Sequence, residues 1–145
     1  MAETRTVLIT GGASGLGLAL AREAGARGFR VAIADIHEKR GEDARQGLAE
    51  QGVDCMFTLC DVRREKDLRN AVQRVARRWG RLDVMINNAG VAGAGLFEAL
   101  SDDDWQWLLD INLMGVVRGS RLAITEMKRQ GFGQIVNIAS MAGLT

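Results

Sequence analysis

The sequence predicts an α/β domain, a doubly wound parallel sheet with helices on both faces. Short apolar runs alternate with longer stretches of helical period from one end to the other, the pattern of successive βαβ units. The runs are nearly continuous in apolar residues, as strands are when both faces are covered. There are 18 glycines and no proline, which suits tight backbone approaches better than flexible linkers. At 145 residues the chain is expected to form one unit, residues 1–145, and a domain of this size buries roughly 68–70% of its unfolded surface.

The elements follow in order. Thr6-Val7-Leu8-Ile9-Thr10 reads as the first strand and ends in Gly11-Gly12, after which Leu16, Leu20 and Ala24 recur at helical spacing until Gly28. Residues 30–35, Arg-Val-Ala-Ile-Ala-Asp, form the second strand, and a polar helix follows from about Glu38 to Glu50. Val53 to Cys60 is the third strand. The next helix carries Leu68, Ala71, Val72, Val75, Ala76 and Trp79 on one face, a period of about 3.6 residues. Leu82 to Ile86 is the fourth strand. Ser101 is an N-cap with Asp102, Asp103 and Asp104 in the favourable first turn, and its helix is expected to run to about Gln130. Gln134 to Ala139 is the fifth strand.

Composition excludes several classes. The hydrophobic fraction of 47% and the net charge of +1 exclude disorder as the main state. The balanced charge argues against nucleic acid or a membrane surface as partner, since both want a basic field. No run approaches the roughly 20 apolar residues of a membrane span. Glu3 and the early strand argue against a signal peptide. Two cysteines, Cys55 and Cys60, make a disulfide framework unexpected and fit a reducing, cytoplasmic compartment. They fall on opposite faces of one strand and cannot chelate together, and the one histidine, His37, reads as an exposed turn residue; no metal site is expected.

In an open α/β sheet, ligands lie outside the carboxyl ends of the strands. Five unusual features fall there, one after each strand: the loop Gly11-Gly12-Ala13-Ser14-Gly15-Leu16-Gly17, then Asp35, Asp61, the run Asn87-Asn88-Ala89-Gly90, and Ser140. Turn chemistry explains any one of them, whereas five at one edge make a site. A pyrophosphate must lie against backbone N–H groups at a helix N-terminus, and side chains would block that approach. Gly17 would let the helix pack on the strand. The spacing Gly11-x3-Gly15-x-Gly17 differs from the commoner G-x-G-x-x-G; a plain glycine-rich turn is the bland alternative. Asp35 lies 18 residues beyond Gly17, where an acid accepts from ribose hydroxyls and repels a 2′-phosphate. With no basic neighbour beside it and Ala at position 13, this favours NAD over NADP; the alternative is a cap for the next helix. Asp61 could accept from an adenine amino group while Val62 packs beside the ring, or cap the helix that follows.

Asn112 is placed mid-helix on the face of Leu108, Gly115, Val116 and Gly119. A buried amide without partners costs about 1–3 kcal/mol, so it is either satisfied by a structural partner or turned to the site; both readings stand on the residues alone. Ser140 could hydrogen-bond a substrate oxygen and is no triad nucleophile, since G-x-S-x-G is absent. Trp105 and Trp107 read as core or interface residues rather than a stacking platform. The pairs Arg63/Arg64 and Arg77/Arg78 read as solvated helix surface.

Together these residues resemble the short-chain dehydrogenase/reductases of the classical type. Thr10 to Gly17 is similar to the family's TGxxxGxG loop and Asn87-Asn88-Ala89-Gly90 to its NNAG. Asp61 matches the acid that contacts adenine, Asn112 within Asp110-Ile111-Asn112-Leu113-Met114-Gly115 the helix-borne catalytic Asn, and Ser140 the catalytic Ser. The resemblance spans essentially the whole chain with motifs in family order. It implies a Rossmann-like sheet of five strands in the order 3-2-1-4-5, and reversible hydride transfer between a nicotinamide cofactor and an alcohol or ketone. The implied cofactor-binding residues are Gly11, Ser14, Gly15, Leu16, Gly17, Asp35, Ile36, Asp61, Val62, Asn88, Ala89 and Gly90. The implied catalytic residues are Ser140, which orients the substrate oxygen, and Asn112, which anchors a water in the proton relay.

The family's acid–base pair, a Tyr with a Lys in YxxxK, belongs just beyond Ser140, and this sequence stops at Thr145 with no tyrosine anywhere. It is therefore expected to be the N-terminal portion of a family member whose intact parent is an NAD-dependent oxidoreductase, and to lack turnover by itself. A fifth strand left as a bare edge and a long helix short of neighbours predict self-association, as a homo-oligomer or by exchange of elements. The competing reading is a non-catalytic dinucleotide-binding or dimerisation module. The retention of both Asn112 and Ser140 argues for the enzyme lineage, and the glycine spacing argues against the extended epimerase branch.

Overall fold

A computed structural model describes residues 3–140. The first two and last five residues of the expected domain lie outside that range. Five strands form one parallel sheet in the order β3-β2-β1-β4-β5, as the resemblance implied. They are β1 (Thr6–Thr10), β2 (Arg30–Asp35), β3 (Cys55–Leu59), β4 (Val84–Asn87) and β5 (Gln134–Asn137). Helices α1 (Gly15–Ala26), α2 (Glu38–Glu50) and α3 (Glu65–Trp79) connect them in turn, and α4 (Asp102–Leu109) and α5 (Gly115–Gln130) lie between β4 and β5.

The period of two along each strand divides the core in two. Leu8, Ala32, Ala34, Met56 and Met85 face α3 and α5, meeting Leu68, Val72, Val75, Ala123 and Met127. Val7, Ile9, Val31, Ile33 and Ile86 face α1 and α2, meeting Ala21, Ala44 and Leu48. Cys55 belongs to the second layer and Cys60 to the first, on opposite sides of the sheet as their spacing requires; both are free thiols.

Strand ends depart from the sequence reading by one to three residues. The fourth strand begins at Val84 rather than Leu82, because the Gln130 side chain takes Leu82 out of the ladder: its Oε1 accepts from the Leu82 N–H at 3.1 Å and its Nε2 donates to the Leu82 carbonyl at 2.6 Å. The fifth strand closes at Asn137 rather than Ala139. The long helix expected from Ser101 is two α-helices joined by a π-helical segment, Asp110–Met114. Ser101 caps it as expected: its hydroxyl accepts from Asp104 N–H while the Asp104 carboxylate accepts from Ser101 N–H, a reciprocal capping box.

Candidate functional site

The carboxyl ends of β1, β2, β3 and β4 open onto one cavity of about 550 Å³. Its floor is the glycine turn after β1. Gly11 has a φ of +65° and Gly15 of +53°, left-handed conformations that a side chain resists. Gly17 is tight for a different reason: a Cβ there would stand 2.2 Å from the Gly11 carbonyl oxygen and 2.5 Å from Asn88 Nδ2. The turn is therefore pressed against α1, as read from the sequence.

Backbone N–H groups are the chemistry of this turn. Gly11 N–H donates to the Ala34 carbonyl at 2.8 Å and Ala13 N–H to Asp35 Oδ2 at 3.0 Å. Ser14 holds the N-cap position of α1 but its hydroxyl makes no capping bond. Among the described residues, the N–H groups of Ser14, Gly15, Leu16 and Gly17 meet no protein acceptor. Four donors at the positive end of a helix form an anion-binding surface.

Asp35 is 7% exposed and closes the cavity beside this turn. Its Oδ1 accepts from His37 N–H at 3.0 Å, so its carboxylate ties the glycine turn to the loop after β2. Both sequence readings of Asp35 thus meet in one side chain, a brace that still faces the cavity. The turn after β4 is held in the same way. Thr10 Oγ1 accepts from the N–H groups of Asn88 and Ala89, each at 3.0 Å, and Asn88 Nδ2 donates to the carbonyls of Thr10 and Gly11.

Asp61 lies at the β3 end, where Arg63 pairs with it at 2.8 Å. That guanidinium holds the Asp61 carboxyl below its ordinary value, against the opposing effect of burial. Next to it, Cys60 is 3% exposed, and burial, reinforced by Asp67, Asp61 and Asp35, pushes its thiol up to about 12. It stays protonated at neutral pH and is no nucleophile.

The π-helical segment braces the remaining walls. Asn112 Nδ2 donates to the Val91 carbonyl at 2.7 Å and its Oδ1 accepts from Val91 N–H at 2.8 Å. The expected buried amide is an exposed one, satisfied by the backbone of the loop after β4. The extra residue of a π turn swings this side chain off the face it would share on a regular helix. On the other side Arg118 donates to Asp110 Oδ1 at 2.7 Å and to the Val62 carbonyl at 3.3 Å, and a Cβ on Gly115 would stand 3.0 Å from Val62 Cγ2.

Of the cofactor residues expected from the sequence, Gly11, Ser14, Asp35, Ile36, Asp61, Val62, Asn88, Ala89 and Gly90 line the cavity. Gly15, Leu16 and Gly17 stand beside it in the first turn of α1. Ser140 lies three residues beyond β5 and is not among the lining residues. The cavity also takes in His37, Arg40, Cys60, Arg63, Val91, Trp107 and Ile111, which the sequence reading left out. Arg63 and Trp107 correct it. Arg63 is not plain solvated surface but the partner of Asp61, and Trp107 is a 41% exposed wall residue rather than core. Trp105 is also outside the core, 38% exposed with its ring 5.6 Å from that of Phe97. Among the described residues no three His, Cys, Asp or Glu side chains gather to hold a metal, and no helix is long and apolar enough to cross a membrane.

The family description "short chain dehydrogenase" matches residues 5–145. An oxidoreductase of uncharacterised substrate from Thermotoga maritima is 38% identical over 140 residues, covering 97% of this chain and 55% of its own. A dehydrogenase/reductase of CLA biosynthesis from Lactiplantibacillus plantarum is 36% identical over 141 residues, covering 97% of this chain and 49% of its own. The chain thus spans about half the length of these curated relatives. A short chain dehydrogenase/reductase from Burkholderia phymatum, solved in complex with NAD, superposes with a TM-score of 0.95 at 30% identity, over 99% of this chain and 51% of that one. A variant of the actinorhodin polyketide ketoreductase, solved with NADPH, superposes at 0.94 with 36% identity, over 100% of this chain and 57% of that one.

Proposed function

The chain belongs to the short chain dehydrogenase family, and from that premise we propose that residues 1–145 are the NAD-holding unit of an oxidoreductase acting on an alcohol or ketone. One observation carries the reading: the N–H groups of Ser14, Gly15, Leu16 and Gly17, without protein acceptors among the described residues, converge beside the buried carboxylate of Asp35. Such a surface fits a pyrophosphate with a ribose next to it. The first two β-strand turns hold the phosphates and sugar, with Ile36, Asp61 and Val62 at the base. Asn88, Ala89 and Gly90 line the way towards the nicotinamide end. When bound, the nicotinamide supplies or accepts a hydride.

Asn112 serves the site through its side chain by fixing the Val91 loop, and Ser140 would orient the substrate oxygen. With no tyrosine in the chain, no phenol is available here as acid or base, and turnover by this chain alone is not expected. Two buried free thiols suit a cytoplasmic setting. Leu109, Leu113, Val117 and Ile124, all 40% exposed or more, follow one another at helical spacing along α4 and α5. Such a stripe favours a homo-oligomer, and light scattering is expected to give a mass at least twice that of the monomer; a monomer would count against it.

Cofactor choice follows from Asp35. Its charge opposes a 2′-phosphate, although Arg40 lines the same cavity. Calorimetric titration is expected to show NAD bound more tightly than NADP by about tenfold, ~1.4 kcal/mol. Asp35→Ala removes hydrogen bonds to a charged acceptor, each worth about 1.5–3 kcal/mol, and is expected to weaken NAD by about tenfold or more. Unchanged NAD binding in a variant that still melts cooperatively would refute the reading.

A further inference from the structure

We propose that Arg63 recognises the nucleobase of the bound dinucleotide by the face of its guanidinium, with Asp61 as its anchor rather than as the acceptor for the base's amino group. This rests on the NAD-binding reading above. Three N–H groups of Arg63 converge on one carboxylate. Its backbone N–H reaches Asp61 Oδ1 at 3.0 Å, Nη2 reaches Oδ2 at 2.8 Å, and Nε lies 3.1 Å from Oδ1 and 3.2 Å from Oδ2. A carboxylate offers about four acceptor positions, and these contacts draw on both oxygens. An incoming amino group would have to displace a charge-assisted bond roughly twice as strong as a neutral one.

The same pairing prepares the guanidinium. It engages Asp61 through its Nε–Nη2 edge, which fixes the plane and leaves its faces for stacking. Asp61 is the more buried partner, its side chain 13% exposed against 39% for Arg63, so the anchor is set in the wall and the cation is presented from it. Ile36, Val62 and Trp107 line the same cavity, giving a mostly apolar slot for a flat ring. Guanidinium planes stack well on aromatic rings, and stacking is tolerant of ring substituents because every base has a π face. The slot therefore reads the presence of a base and not its exocyclic group.

The test compares NAD with nicotinamide hypoxanthine dinucleotide, which carries a carbonyl in place of the amino group. Calorimetric affinities are measured for the wild-type chain, for Arg63→Ala and for Arg63→Ala with Asp61→Asn, each checked by thermal melting. In the wild type the two ligands are expected to bind within about threefold of each other. Arg63→Ala weakens both and frees Asp61, which then accepts from the adenine amino group and repels the carbonyl, so the ratio opens to about tenfold or more. The double variant closes it again. Should the alanine variant not fold, Arg63→Gln takes its place with the same expectation. A wild-type ratio above about threefold, or a ratio that Arg63 substitution leaves unchanged, overturns the assignment of Arg63 while leaving NAD binding intact. No NAD binding by the wild type overturns the NAD-binding reading and this inference with it.

Discussion

Asp83→Ala is expected to lower stability by about 3–5 kcal/mol, the range for stripping one partner from a buried ion pair. Asp83 is 7% exposed and precedes β4. Its Oδ2 accepts from Thr6 N–H at 2.8 Å and from Arg81 Nε at 2.8 Å. Thr6 is fully buried, so without the carboxylate its N–H has no acceptor at the start of the central strand, a loss of about 1–3 kcal/mol by itself. Arg81, its side chain 17% exposed, would keep only Glu3 at the surface and its place over the Phe132 ring, 4.7 Å from the centroid.

The same carboxylate gives the effect a pH signature. Burial opposes its ionisation, yet the bonds from Arg81 and Thr6 prevail and hold its pKa below the ordinary value. A depressed folded pKa contributes stability that is complete above the unfolded value of about 3.9 and is lost as pH falls through the folded one. Urea midpoints of wild type and Asp83→Ala are thus expected to differ most at neutral pH and to converge in acid. A difference under about 1 kcal/mol at pH 7, or one indifferent to pH, would refute the role given to Asp83.

The elements themselves were legible because each buries one face, and burial at a fixed period writes itself into the sequence. Leu68, Val72 and Val75 announced α3 in this way, and the apolar alternation of Val7, Leu8 and Ile9 carried both core layers. What escaped was set by side chains acting at long range. Nothing near Leu82 reveals that Gln130 will occupy its backbone groups. Nothing local in Asp110 to Met114 specifies a π turn, which is stabilised by Asn112 gripping Val91 and by Val62 seated against Gly115.

The site divides along the same line. Glycines forced by backbone geometry and acids at strand ends leave a local trace, so the Gly11 to Gly17 turn, Asp35 and Asn88 could be read directly. Arg63 and Trp107 leave none. An arginine at a helix start and a tryptophan on a helix resemble surface and core anywhere, and only the folded topology brings α4 across the mouth of the β3 loop. The spacing of Trp107 and Ile111, one helical turn apart, was the one available hint that they share a face.

Gly17→Ala should injure both the fold and the site, and for one geometric reason. The added Cβ would meet the Gly11 carbonyl oxygen at 2.2 Å and Asn88 Nδ2 at 2.5 Å. Neither neighbour can yield cheaply. The Gly11 carbonyl belongs to a turn tied at its N–H to Ala34 and at its oxygen to Asn88, and Asn88 Nδ2 is committed to the carbonyls of Thr10 and Gly11. Relief requires α1 to move away from the sheet, carrying with it the N–H groups of Ser14 to Gly17 that form the anion-binding surface. Overpacking of this kind costs about 1–3 kcal/mol, and the backbone contact argues for the upper part of that range. Two displaced backbone donors to a charged ligand amount to about 3 kcal/mol or more, so NAD affinity is expected to fall by roughly a hundredfold. Gly15→Ala makes the contrast: a Cβ there meets nothing within 4 Å, and only the left-handed φ resists it, at about 1–2 kcal/mol. Melting curves and NAD titrations of the two variants should therefore separate, with Gly17→Ala the weaker binder. If Gly17→Ala binds NAD as well as Gly15→Ala, the helix N-terminus is not where the pyrophosphate rests.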